Sequence, residues 1–149
     1  MRAVVQRVKQ AKVEVRGRIT GEIAEGLLVF LGVGEEDTKK DCEYLAAKCL
    51  NLRIFPDEND LMNLSLIDKK GSMLVVSQFT LWGDCRKGRR PSFVKAANPA
   101  GANELYEYFI SLIKKENVFV QTGIFQEMMD VHLINDGPVT MLLDSSKLF

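Results

Sequence analysis

Ser72-Met73-Leu74-Val75-Val76-Ser77-Gln78-Phe79-Thr80-Leu81-Trp82-Gly83 is the stretch from which the fold is read. Its first half is a short, unbroken apolar run containing two valines, the pattern of a strand covered on both faces. Its second half keeps Ser77, Gln78 and Thr80 among Phe79, Leu81 and Trp82. A buried polar group left unpaired costs about 1–3 kcal/mol. These three side chains therefore either find partners within the fold or face a ligand at the strand's end. A second stretch, Asn135-Asp136-Gly137-Pro138-Val139-Thr140, lies between two apolar runs near the C-terminus and reads as a turn.

Upstream, Gly26-Leu27-Leu28-Val29-Phe30-Leu31-Gly32-Val33 is continuously apolar and predicts another central strand. Before it, Val4-Val5 open a strand, and Ala11, Val13 and Val15 alternate with Lys12, Glu14 and Arg16. Gly17 punctuates, and Ile19, Gly21 and Ile23 complete a predicted hairpin with one buried face. Between the two central strands, Thr38 and Asp41 have the spacing of a capping box. Cys42, Leu45, Ala46, Cys49 and Leu50 then recur at helical spacing. Leu52 to Phe55 is a short strand stopped by Pro56, and Asp57 to Asp60 is a polar loop without the glycine and closing glutamate of a calcium loop.

Downstream, Cys85 to Lys95 carries five basic residues in eleven. Asn98-Pro99 opens a second helix with Leu105, Tyr108, Phe109, Leu112 and Ile113 as its core face, and Lys114-Lys115 suit its C-terminal dipole. Val118 to Val120 is a strand, Ile124 to Met129 a short segment, and Val131–Ile134 and Val139–Leu143 are the last two strands. The prediction is a single α/β domain over residues 1–149. Two packed β-sheets with helices covering one face would make three layers, β/β/α.

Composition narrows the function. The hydrophobic content of 46% and charged content of 27% are those of a soluble globular chain, and no run is long enough for a membrane helix. The N-terminus lacks the apolar core of a secretion signal. Three cysteines with no metal spacing imply reduced thiols and a cytoplasmic setting. A formal net charge of zero argues against a broad grip on DNA but not against a local contact with RNA. The single histidine, His132, lies mid-strand, so neither a Ser-His-Asp system nor a zinc site is supported, and no metal is expected. Phosphate-binding glycine loops are absent. Any chemistry must use backbone amides, hydroxyls or groups on the substrate.

Ser77-Gln78-Phe79-Thr80-Leu81 and Asn135-Asp136-Gly137-Pro138-Val139-Thr140 together resemble the two signatures of the D-aminoacyl-tRNA deacylase family. The likeness extends to Met1 through Val8, Gly26 through Gly32, Arg53-Ile54-Phe55, Arg90-Pro91-Ser92-Phe93 and Thr122-Gly123. It implies a homodimer without a cofactor that hydrolyses the ester between a D-amino acid and the acceptor end of tRNA, with glycine-charged tRNA as a second substrate. It also implies that Gly137-Pro138 is a cis dipeptide reaching into the other subunit's pocket to exclude L-residues, with Arg7 bracing it. Read from the residues alone, the same dipeptide is a trans turn closing a hairpin. Ser77, Gln78, Phe79 and Thr80 become the catalytic group, with amides near Phe79 and Thr80 clamping the reacting carbonyl. Thr80 is otherwise an ordinary strand threonine. As no base is evident for a threonine nucleophile, water assisted by the RNA 2′-hydroxyl is the favoured attacker. Phe125 and Met129 resemble pocket-lining positions, and Arg86, Lys87, Arg89 and Arg90 a phosphate-binding loop. The rival readings are a general small-ester hydrolase and a non-catalytic RNA-binding module.

Overall fold

The predicted central strand is β6 (Ser72–Ser77), which lies between β3 (Gly26–Gly32) and β7 (Val120–Thr122) and runs parallel to both. The computed structural model describes residues 1–148. The two-residue period of β3 and β6 sends alternate side chains into separate cores. Leu27, Val29, Leu31, Met73 and Val75 face the helices, whereas Leu28, Leu74 and Val76 face a second layer of strand. At Gly26 the β3 backbone passes so close to β6 that a Cβ would fall 1.9 Å from the Ser72 carbonyl oxygen.

β1 (Arg2–Val15) is one strand of 14 residues with two partners on the same edge. Arg2 to Val8 pair antiparallel with β3, and Ala11 to Val15 pair with β2 (Arg18–Ile23). β1 therefore carries the sheet around a bend, laying β2 over the face of β6 and β7. A Cβ at Gly21 on β2 would meet the Thr122 carbonyl oxygen at 2.5 Å. The two expected sheets are thus the halves of one six-stranded mixed sheet curled onto itself. The strand layers stay hydrogen-bonded because a single long strand passes between them. A separate ribbon joins β4 (Phe55–Pro56) and β5 (Met62–Leu64).

The helices cover the remaining face. α1 (Lys39–Asn51) begins as predicted, with the Asp41 carboxylate accepting the Thr38 N–H at 2.8 Å. α2 (Leu66–Lys69) is a single turn capped by Ser65. α3 (Pro99–Lys115) is capped by Asn98, whose Oδ1 accepts the Gly101 N–H at 3.0 Å. Its buried stripe is Tyr106, Phe109, Ile110 and Ile113; the expected Leu105, Tyr108 and Leu112 flank it, half-buried. Among the described residues, no helix is long and apolar enough to cross a membrane.

β8 (Asp130–Asp144) overturns the hairpin expected at the C-terminus. Both apolar runs belong to one 15-residue strand, antiparallel to β1 along its length. Gln6 pairs with Thr140 and Val8 with Asn135, so Arg7 alone faces the residues from Asp136 to Val139. The turn chemistry makes an outward bulge rather than a reversal.

Candidate active site

β6 ends at Ser77 and the chain tightens into a 3₁₀ turn over Phe79–Trp82. Thr80 is therefore a turn residue, not the strand threonine of the simpler reading. The Gln78 N–H donates to the Leu31 carbonyl at 2.8 Å, fixing the exit from the sheet. Leu81 N–H donates to Gln78 O at 3.2 Å and Gly83 N–H to Thr80 O at 2.9 Å. The first amides of such a turn have no acceptor behind them. Among the described residues, the Phe79 and Thr80 N–H groups donate to none. Gln78 Nε2 donates to Thr80 Oγ1, occupying one hydroxyl lone pair and leaving its proton available. Arg2 holds the turn from below: it donates to the Leu81 carbonyl at 3.0 Å and lies 4.2 Å over the Trp82 ring.

Ser77, Gln78, Phe79 and Thr80 line a cavity of about 410 Å³ together with Phe125 and Met129. Tyr106 supplies part of the wall from α3, its hydroxyl donating to the Val75 carbonyl at 2.8 Å and its ring 5.8 Å from that of Phe125. Burial raises the Tyr106 pKa. Gly123 makes room for Met129, because a Cβ there would lie 2.4 Å from the sulfur. Among the described residues, Glu127 is the only carboxylate in the lining, and Arg16 holds it at 3.0 Å. His132 lies elsewhere, on the outer face of β8, 3.7 Å from Glu14. Among the described residues, Thr80 Oγ1 has no hydrogen bond to a carboxylate or an imidazole.

The second signature forms its own rigid unit. The Gly137–Pro138 peptide is cis. Arg7, nine-tenths buried, donates from Nε to the Asp136 carbonyl at 3.1 Å and meets its carboxylate at 3.0 Å. Its Nη1 donates to the Ile54 carbonyl at 2.5 Å. Gly137 has φ +135°, and a Cβ there would approach Val139 Cγ2 to 2.7 Å and Arg7 Nη2 to 3.1 Å. Arg7, Gly137 and Pro138 are not among the cavity-lining residues of their own chain. One chain thus gathers the first signature with Phe125 and Met129, and leaves the second signature on the β1–β8 edge.

The basic loop is closed at its base. Asp84 and Ser92 exchange backbone hydrogen bonds at 2.8 and 3.0 Å. Arg86 turns back onto Asp84 with Nη2 at 2.6 Å, and that contact lowers the Asp84 pKa. Lys87, Arg89 and Arg90 are exposed, with no ion pair among the described residues.

The profile of the D-Tyr-tRNA(Tyr) deacylase family matches residues 4–144. The chain belongs to that family. It is 61% identical to the D-aminoacyl-tRNA deacylase of Thermosipho africanus and 60% identical to that of Koribacter versatilis, each match covering 100% of both chains. Among solved structures, c-Myc DNA Unwinding Element Binding Protein superposes with a TM-score of 0.91 at 40% identity, covering 97% of this chain and 98% of that one. A probable eukaryotic D-amino acid tRNA deacylase shares the fold, with a TM-score of 0.82 at 17% identity over 95% of this chain and 97% of that one. The deacylase is thus an enzyme, an aminoacyl ester hydrolase.

Several residues of the candidate site escaped sequence reasoning. Tyr106 was hidden because the buried face of α3 is turned one residue from the predicted stripe. Arg2 gave no signal, as its role depends on β1 passing beneath the 3₁₀ turn. Asn135 was visible as part of a motif, yet its contacts appear only once β8 is known to be continuous.

Proposed function

We propose that the deacylase hydrolyses D-aminoacyl-tRNA at the Ser77–Thr80 cavity, releasing the free D-amino acid and a tRNA whose 3′-terminal hydroxyl is restored. Water attacks the ester carbonyl and the RNA 2′-hydroxyl assists its deprotonation. The Phe79 and Thr80 amides receive the negative charge that develops on the carbonyl oxygen. The observation that carries this reading is that, among the described residues, these two amides lack acceptors on a turn lining a cavity. Removal of one such donor costs about 10²–10³ in rate in comparable sites. Thr80 orients the water through the hydroxyl proton that its bond from Gln78 leaves available.

The L-isomer is rejected by Gly137 and Pro138 of a second copy, whose main-chain oxygens leave no space for the mirror-image side chain. Rejection by a built-in clash is effective because each 1.4 kcal/mol is about tenfold. Dimerisation is favoured by the outer edge of β8, a long strand with no second partner among the described residues of its own chain and with Ile134 and Leu142 exposed. A two-fold arrangement would give each cavity the other copy's bulge. Glycine, having no side chain to exclude, is cleared as well. The acceptor end lies along the basic loop, and the enzyme works in the cytoplasm, where its substrate is made. A net charge of zero does not suit a broad duplex-DNA grip.

The deciding experiment offers matched D- and L-aminoacyl-tRNA, together with a D-amino acid methyl ester, and follows amino acid release. Rapid loss of the D-aminoacyl-tRNA alone is expected. Equal cleavage of the methyl ester would make the protein a general esterase, and binding without release an RNA-binding module.

A further inference from the structure

Phe93 follows the basic loop, and its ring meets that of Phe79 edge-on, with centroids 5.1 Å apart at 65°. The pair is held in place. Ser92 is bonded to Asp84 on one side, and on the other the Phe93 carbonyl accepts the Ala96 N–H at 3.0 Å. Gly83 lets the ring lie against the chain, since a Cβ there would be 3.0 Å from Phe93 Cε1. Yet the rings are not core: Phe79 is 58% exposed and Phe93 36%. Two large aromatics packed on one another and left in solvent form an exposed apolar patch of the kind that marks a contact surface.

Their neighbours indicate its chemistry. Phe79 lines the cavity, Phe93 abuts Phe79, and the exposed cations Lys87, Arg89 and Arg90 lie in the loop that Asp84 and Ser92 close just before Phe93. Cavity and ledge share Phe79, and the three cations precede Phe93 in the same short segment of chain. Aromatic rings beside cations are what an unpaired nucleic acid strand requires, bases stacking on the rings while phosphates meet the charges.

Resting on the deacylase reading, we infer that the Phe79–Phe93 ledge is a stacking site for the unpaired nucleotide immediately 5′ of the nucleoside whose ester is cleaved. Phe93 is a substrate-binding residue for that nucleotide, which gives the enzyme a preference for a charged RNA end over a charged nucleoside.

The test compares D-aminoacyl-adenosine with the D-aminoacyl cytidylyl-adenosine dinucleotide, on wild-type enzyme and on Phe93→Leu and Phe93→Trp. The added nucleotide should raise kcat/KM about tenfold in the wild type, in keeping with the strength of one base–aromatic stack. Phe93→Trp should keep that gain and Phe93→Leu should lose most of it. An equal gain in wild type and Phe93→Leu overturns the inference, because the ring then only supports the turn. Absence of any gain in the wild type overturns it too, whatever the variants do. A wild-type enzyme inert toward D-aminoacyl-tRNA itself would fell the deacylase reading, a result distinguishable from either of these.

Discussion

Asn135 reaches across the Gly137–Pro138 step, its Oδ1 accepting the Val139 N–H at 2.7 Å. Its Nδ2 donates to the Val139 carbonyl and to Thr140 Oγ1, each at 3.2 Å. One carboxamide thus ties the two ends of the bulge while Arg7 holds Asp136 between them, which fixes where Gly137 and Pro138 project.

Asn135→Ala leaves the buried Val139 N–H without its acceptor, a loss of about 1–3 kcal/mol in stability. On the proposed mechanism it also loosens chiral selection, so the ratio of D- to L-aminoacyl-tRNA hydrolysis falls at least tenfold. Asn135→Asp keeps the accepting oxygen but sets a second carboxylate oxygen against the Val139 carbonyl, so it should recover only part of both. Parallel denaturation curves and D/L rate ratios check this.

Arg7→Lys keeps the charge but replaces a planar fork with a single ammonium, which does not serve Ile54 O and Asp136 together. The D/L ratio should drop more than kcat for the D-substrate does. A lysine variant with unchanged discrimination would show that charge alone braces the bulge.

Thr80→Ala should slow turnover by about tenfold to a hundredfold without abolishing it, because the charge-bearing amides belong to the backbone. Single-turnover rates on D-aminoacyl-tRNA measure the effect. Complete loss of turnover with intact binding would instead make Thr80 the nucleophile.

Neutralising Lys87, Arg89 and Arg90 together should flatten the salt dependence of tRNA binding, the slope changing by about 0.7 for every phosphate no longer engaged. Arg86 should contribute less than the others because Asp84 already engages it. Filter-binding titrations across ionic strength, with Arg86→Gln in parallel, separate the two groups.

Thiol chemistry should be confined to one position. Burial pushes the Cys42 and Cys49 thiols up to about 12, whereas Cys85 is exposed. A maleimide at pH 7.5 should label one of the three cysteines in the native enzyme and all three in denaturant, as mass spectrometry will report.

What the sequence made legible was whatever depends on local pattern. Leu27 to Leu31 and Met73 to Val76 announced buried central strands, and Thr38 with Asp41 announced the start of α1. Long-range geometry decided the rest. Asn135 to Pro138 has turn chemistry in a hairpin and in a bulge alike, and only the pairing of both flanks with β1 distinguishes them. Phe79 and Leu81 continue a strand-like alternation, so the change to a 3₁₀ turn left no mark in the spacing. Tyr106 and Tyr108 are both plausible core residues on α3, and the position of the sheet chooses between them. The grouping of Ser77, Gln78, Phe79 and Thr80 with Phe125 and Met129 was foreseen through family likeness rather than through spacing.

The wall around Ser77–Thr80 is made of aliphatic side chains, amides, hydroxyls, thioethers and rings, and among the described residues its one carboxylate is tied to Arg16. On the proposed mechanism no side chain of that wall exchanges a proton with the substrate, so the ratio of D- to L-aminoacyl-tRNA hydrolysis should hold steady in an acid-stressed cell.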